Sequence, residues 1–351
     1  MKGFIKPLLY LFGTIFIFAI FIYILLRPST QSKAIKEIET CLNTEDVKAV
    51  WYKYRSDLSD DEDFRQAVRD KLKTFNLKQS EISEIKKWLP SKTHNLNIIL
   101  VPDLSYRIND EKNNPEQIKN DTALLNMVWK LFEKNVRLKM NSKDRLVVDI
   151  ADPDQGQGQF KTVADSLVFD LSDFKNKSNR LYFNSIEGRF ESNIKQIYDL
   201  AKQKTTGANY VYFFAEKLQS RMKKSTLDDD FRNIVILITD GYLELTMKDG
   251  SATSISPSIN VLRKYCTTGN NSSFQFPMQT VDLSYPDVEA YLFEVNERQS
   301  GQGCDFKGLK RWWTDWFKIM KIKNSDEDFV FRRQEAINLS KKEIQNIFEH
   351  K

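Results

Sequence analysis

Asn97–Arg107 reads NIILVPDLSYR. The apolar run Ile98, Ile99, Leu100, Val101 ends at Pro102, and the chain then delivers Asp103 and Ser105 to a loop. An unbroken apolar run of this length, bounded by turn signals, predicts a strand buried on both faces, as in a parallel sheet. Carboxylate and hydroxyl groups just past the carboxyl end of such a strand lie where open α/β sheets bind ligands.

A second run of the same kind, Asn233–Thr239 (NIVILIT), ends in Asp240-Gly241. Around these two, Arg145–Ile150 (RLVVDI), Ser166–Leu171 (SLVFDL), Val288–Val295 (VEAYLFEV) and Asp328–Arg332 (DFVFR) read as further strands. A Gly-containing loop is expected between Arg145–Ile150 and Ser166–Leu171, and helical periodicity marks other intervals. Asn114 and Pro115 can open a helix with Leu124, Val128 and Leu131 on one face. Ile194, Ile197 and Leu200 mark another, and Tyr210, Phe213, Phe214 and Leu218 a third. Trp312, Trp313 and Trp316, spaced with Leu309 and Met320, are expected to pack in the core. Ser340 and Glu343 form a capping box for a last helix, with Leu339 and Ile344 placed for a hydrophobic staple. The alternation predicts an α/β domain over residues 93–351, built on a doubly wound, mostly parallel sheet. Its longest irregular part is expected at about 250–283.

Ahead of it, Leu8–Leu26 is a 19-residue run without charge. At ~1.5 Å per residue it spans a bilayer core as a helix. Arg27-Pro28-Ser29-Thr30 follows where a cleavable signal would carry small residues, so residues 1–30 are read as a retained transmembrane anchor. Lys2 and Lys6 on one side nearly balance Arg27, Lys33 and Lys36 on the other, so charge assigns no orientation. Residues 31–92 are polar, charged and helical in pattern, with candidate helices at Ala34–Leu42, Val47–Tyr54, Phe64–Phe75 and Ile82–Leu89. A stalk or linker is the simpler reading, a small partner-binding module the other.

The totals exclude several classes. The 351 residues carry a net charge of +5 with only short basic pieces, which argues against a nucleic-acid surface. Three cysteines without CxxC spacing argue against a disulfide framework and a structural zinc site. Two histidines, His94 and His350, make a histidine-based triad improbable. No Walker A sequence occurs, and Gly156-x-Gly158 and Gly301-x-Gly303 lack a third glycine at fingerprint spacing.

Three pieces taken in order give the domain a family resemblance: Asp103-Leu104-Ser105 after one apolar strand, Thr205-Thr206-Gly207 before a middle helix, and Thr239-Asp240-Gly241 after a second apolar strand. The domain resembles a von Willebrand factor type A (vWA) domain. That resemblance implies a metal-ion-dependent adhesion site holding a divalent ion, commonly Mg2+, with the pattern Asp-x-Ser-x-Ser, a distant Thr and a distant Asp. Asp103, Ser105 and Asp240 match it, and Thr205 stands beside the position of the family Thr. Arg107 occupies the place of the second Ser, and Lys204 the place of the Thr itself. A hard cation wants oxygen ligands, whereas an Arg fork satisfies a carboxylate without a metal. An internally neutralised site is therefore weighed against a magnesium site. The resemblance also implies protein partners, met at the loops around Asp103, Ser105 and Asp240. It suggests work within a larger bacterial assembly or a stress or defence system, such as one with an AAA+ ATPase or other membrane-complex subunits. The rival class is a magnesium-dependent phosphoryl hydrolase with Asp103 as nucleophile, which would want a second acid where Ser105 stands. Asp149, Asp152 and Asp154 could make a second cation site, but a polar loop explains them more simply.

Overall fold

The computed structural model describes residues 29–109, 115–139, 142–153, 155, 157–173, 179–204, 208–246, 252–254, 283–295, 305–324, 331–333 and 337–349. The chain divides into two compact units, one running to Lys92 and taking in Ser225–Asp228, the other formed by Thr93–Lys224 and Asp229–Lys351.

The first unit is helical: α1 (Thr30–Thr40), α2 (Thr44–Leu58), α3 (Glu62–Lys73) and α4 (Gln79–Lys86). The starts of the first three are set by side-chain caps. Ser29 accepts from the Ser32 N–H, Asn43 from Asp46 and Asp61 from Phe64, each filling a donor the first turn leaves unpaired. Phe64, Val68 and Leu72 recur at i, i+4, i+8 along α3 and are fully buried. They join Ala34, Ile38, Val47 and Trp51 in a core of the unit's own. Phe64 stacks on Trp51 with ring centroids 5.7 Å apart. The segment expected as a stalk or linker thus encloses a hydrophobic core.

The second unit is α/β. Its strands are β1 (Thr93–Pro102), β2 (Arg145–Val148), β3 (Val168–Asp170), β4 (Asp229–Ile238), β5 (Glu244–Thr246), β6 (Ala252–Ser254), β7 (Val288–Val295) and β8 (Phe331–Arg333). Six of them form one sheet in the order β3-β2-β1-β4-β7-β8, and β5 and β6 form a small antiparallel pair. All pairings in the large sheet are parallel except β2 with β3. The helices are α5 (Gln117–Val136), α6 (Gly158–Asp165), α7 (Asn179–Ser185), α8 (Arg189–Gln203), α9 (Tyr210–Tyr212, continuing through a π turn at Phe213–Lys217 into Leu218–Arg221), α10 (Asp305–Ile319) and α11 (Ile337–Glu349).

The continuous apolar runs are explained by burial on both faces. Ile98 and Leu100 join a core with Leu124, Val128 and Phe132 of α5 and with Ile194 and Ile197 of α8. Ile99 and Val101 point the other way, into a core with Phe213 and Phe214 of α9 and Trp312, Trp313 and Trp316 of α10. The three tryptophans are at most 1% exposed, as their helical spacing predicts.

Several local expectations are corrected. The connection read as a loop between β2 and β3 contains α6, whose eight residues bury only Phe160 and Val163, too few to show as a period. The helix expected from Pro115 begins at Gln117, and Asn114 lies outside the described residues. The last helix starts at Ile337 rather than after Ser340, because Ser340 shares the buried face of Ile344 and Ile347. Leu339 is more than half exposed, so no staple forms. Part of the long irregular stretch pairs as β6 with β5. Among the described residues no helix is long and apolar enough to cross a membrane, and Leu8–Leu26 lies outside them.

Candidate functional site

The strand order reverses between β1 and β4: β2 and β3 follow β1 outward on one side, β7 and β8 follow β4 on the other. A reversal of this kind opens a crevice at the carboxyl ends of the strands. β1 and β4 run in register from Thr93 opposite Asp229 to Pro102 opposite Ile238. Asp103 and Thr239 therefore leave the sheet together, and the Asp103 N–H still donates to the Ile238 carbonyl at 2.8 Å.

Asp103 is 1% exposed and its carboxylate is engaged at both oxygens. Oδ1 accepts from the Ser105 N–H at 2.9 Å, an Asx turn that bends the chain. Oδ2 accepts from the Thr239 hydroxyl at 2.8 Å, and Arg107 Nε lies 3.3 Å from the same oxygen. Arg107 stands on a 3-10 turn, Tyr106–Asn109, that turns its guanidinium inward. Its Nη2 donates to Asp121 Oδ2 at 2.7 Å and to the Ile238 carbonyl at 3.0 Å. Asp121, on α5, also accepts from Gln117 Nε2 at 2.7 Å and from the Tyr198 hydroxyl of α8 at 3.0 Å. One guanidinium thus ties the loop after β1 to α5, α8 and β4.

Asp240 is 3% exposed, and its Oδ1 accepts from the Tyr242 N–H at 3.0 Å. The Thr239 hydroxyl accepts from the Gly241 N–H. Gly241 adopts φ +92, and a Cβ there would come within 3.2 Å of Val295 Cγ1. Its carbonyl accepts from Trp313 Nε1 at 2.8 Å. Gln155 Nε2 donates to the Leu104 and Lys204 carbonyls, both at 3.3 Å, bringing the end of α8 to the loop after β1. Thr205 lies outside the described residues, and the Lys204 side chain is exposed. The hydroxyl found on Asp103 is that of Thr239.

The electrostatics follow from burial. Burial alone would lower the Arg107 pKa, but Asp121, Asp103 and Asp240 outweigh it and raise it. Burial pushes the Asp121 carboxyl up to about 6, against the pull of Arg107 and the bonds from Tyr198 and Gln117. Burial, and then Asp121, hold the Tyr198 hydroxyl well above its ordinary value. Glu294, at the end of β7, is fully buried with φ +65 and no hydrogen-bond partner on either carboxyl oxygen. Burial raises it to about 8, with Asp121 adding to the shift and Arg107 opposing it. Ser105 Oγ and Arg107 Nη1 are likewise buried without a hydrogen-bond partner.

These residues do not fit a magnesium ion beside Asp103. A divalent ion about 4 Å from a guanidinium meets a repulsion of roughly 8 kcal/mol at an effective dielectric of 20. Among the described residues no group of three or more His, Cys, Asp and Glu is placed to hold a metal. Nor is Asp103 presented as a nucleophile, since both its oxygens are committed within the chain. Asp149 is neutralised by Lys217 at 3.0 Å and Arg221 at 2.5 Å, Asp152 accepts from the Gln155 N–H, and Asp154 lies outside the described residues.

Gln117, Asp121, Tyr198 and Glu294 were missed from sequence, although two of them left a trace. Asp121 falls on the apolar stripe of α5, at i, i+3, i+4, i+7 with Leu124, Leu125 and Val128. Glu294 is an acid one residue before the end of a strand that is buried at every position. Tyr106 is different in kind: it is 66% exposed between two fully or nearly buried neighbours, Ser105 and Arg107.

No family model matches the chain. No curated protein matches it either. Among solved structures it is similar to the pilus adhesin SpaC of Lactobacillus rhamnosus GG in an open conformation, at 10% identity and a TM-score of 0.33. That similarity covers 74% of this chain and 30% of the adhesin, so the chain spans less than a third of the adhesin's length.

Proposed function

We propose that this chain is a membrane-anchored protein-binding module of the vWA type, recognising its partner at the loops that follow β1 and β4. The observation that carries the reading is the reversal of strand order at β1 and β4. It brings Asp103, Ser105 and Asp240 to the carboxyl ends of the two central strands, where Tyr106 is exposed between buried neighbours. The three motif pieces around Asp103, Thr205 and Asp240, and the order of strands and helices, support the vWA assignment over 93–351. The uncharged run Leu8–Leu26 supports a single-pass anchor in the cell membrane, with residues 31–92 between anchor and module. A rigid loop offering one exposed aromatic suits protein contact, because Tyr supplies contact area at little entropic cost. A component of a larger bacterial membrane assembly is the partner class this favours, an AAA+ ATPase among the candidates.

The test is site-specific photo-crosslinking in intact cells, with a photoreactive residue replacing Tyr106 or, as control, Leu138. Leu138 is 85% exposed and precedes Lys139, whose amine reaches the His94 carbonyl at the opposite end of β1. A discrete adduct from position 106 and none from 138 is expected. No adduct at 106, or the same adduct from both positions, overturns the reading.

A further inference from the structure

A cavity of about 430 Å³ lies between the carboxyl half of α5 and the turn joining α7 to α8. It shares no residue with the site at the ends of β1 and β4. Its size suits a small molecule, for which sites of roughly 300–1,000 Å³ are usual. Trp129 and Phe183 give it an aromatic wall, their ring centroids 5.6 Å apart. Trp129 also stacks on Phe190 at 4.9 Å, and neither wall residue is more than 5% exposed, so the wall is fixed by the core. Among the charged residues at the cavity, Glu133 and Arg137 pair with each other, and Arg137 also donates to Asn184 Oδ1. That leaves Glu187 and Glu191 on the α8 side and Lys130 on α5. Among the described residues none of these three has an ion-pair or side-chain hydrogen-bond partner. Glu191, in the first turn of α8, suits the helix dipole, but Glu187 stands outside that helix, ahead of its Gly188 cap at φ +72. Two unpaired carboxylates against one amine leave the cavity net negative beside its aromatic wall.

An organic cation answers both features. Its charge is attracted to an aromatic ring within about 6 Å, and its N–H groups donate to carboxylates. A guanidinium suits better than an ammonium, because it is planar, stacks on an indole, forks onto carboxylate oxygens and is more weakly hydrated. We propose that this cavity binds an alkylguanidinium, its cation held by Glu187 and Glu191 against Trp129 and its alkyl chain lying along Phe183. A free guanidine and the arginine side chain of a peptide both carry this group. The inference stands apart from the partner contact proposed for the loops after β1 and β4.

The experiment is isothermal titration calorimetry on the full-length chain in detergent at low ionic strength. Its probes are butylguanidine, the uncharged isostere butylurea, and an arginine tripeptide with alanine on either side and both ends blocked. The wild type is expected to bind butylguanidine saturably and butylurea at least about tenfold more weakly, the factor that one charge-assisted hydrogen bond supplies. Glu187→Gln/Glu191→Gln is expected to weaken butylguanidine by at least about tenfold as well. Lys130→Gln removes a like charge and is expected to tighten it by about two- to fivefold. Tighter binding of the tripeptide assigns the group to a peptide, and tighter binding of butylguanidine assigns it to a free guanidine; either supports the cavity. No saturable heat with butylguanidine or the tripeptide, butylurea binding as tightly as butylguanidine, or an affinity untouched by the double variant overturns the proposal.

Discussion

Arg107 Nη2 and Asp121 Oδ2 lie 2.7 Å apart with side chains 2% and 0% exposed, a buried ion pair that fastens the loop after β1 to α5. Such a pair is weak in what it adds over an apolar core but costly to break, because the survivor is left charged and out of water.

Asp121→Ala is therefore expected to destabilise the α/β unit by about 3–5 kcal/mol. Replacing both partners by Arg107→Met and Asp121→Leu is expected to cost less than either single change. Urea unfolding followed by tryptophan fluorescence reads both quantities. A loss below about 1 kcal/mol for Asp121→Ala would show the pair is solvated.

Glu294 predicts a pH dependence with a definite sign. Its pKa is raised from 4.5 to about 8, so between those values the folded state holds a proton that the unfolded state has released. Its contribution is full below pH 4.5 and is lost as pH rises through 8, by about 5 kcal/mol at 1.36 kcal/mol per pKa unit. Asp121, raised from 3.8 to about 6, acts in the same direction over its own window. Glu294→Gln is expected to gain stability over wild type on going from pH 5 to pH 8.5. Parallel pH profiles for the two proteins would refute this.

Gly241→Ala tests the turn after β4. With φ +92 and Val295 Cγ1 3.2 Å from the new Cβ, a loss of about 1–3 kcal/mol is expected. Because the Gly241 carbonyl holds Trp313 Nε1, near-ultraviolet circular dichroism should change with it. An unchanged midpoint and spectrum would mean the turn accommodates a side chain freely.

Phe64→Ala tests the helical unit by itself. Phe64 is fully buried and stacked on Trp51, so its truncation is expected to cost about 3–5 kcal/mol. Hydrogen exchange should then speed up through α1 to α4. Unaltered protection across these helices would mean that residues 29–92 have no cooperative core.

Much of the fold is legible in sequence, because burial on both faces of a strand leaves an unbroken apolar run. Ile98–Val101 and Ile234–Ile238 show this plainly, and both lie in the centre of the sheet. α6 was not legible, since two buried residues in eight make no period. Ser340 looked like a cap because capping is judged from local residue types, yet its helix is extended by packing of the face it shares with Ile344 and Ile347.

For the site, residue order alone puts Asp103, Ser105 and Asp240 at the ends of two apolar strands, and Arg107 four residues after Asp103. A linear pattern carries that much because strand period and turn chemistry are local. Which charges meet is set by the packing of helices on the sheet. Asp121 reaches Arg107 from a helix, Tyr198 and Gln117 satisfy Asp121, the Thr239 hydroxyl reaches Asp103, and Glu294 is buried without a hydrogen-bond partner. Burial removes water from all of them at once, and a charge deprived of water must find its partner in space, not along the chain.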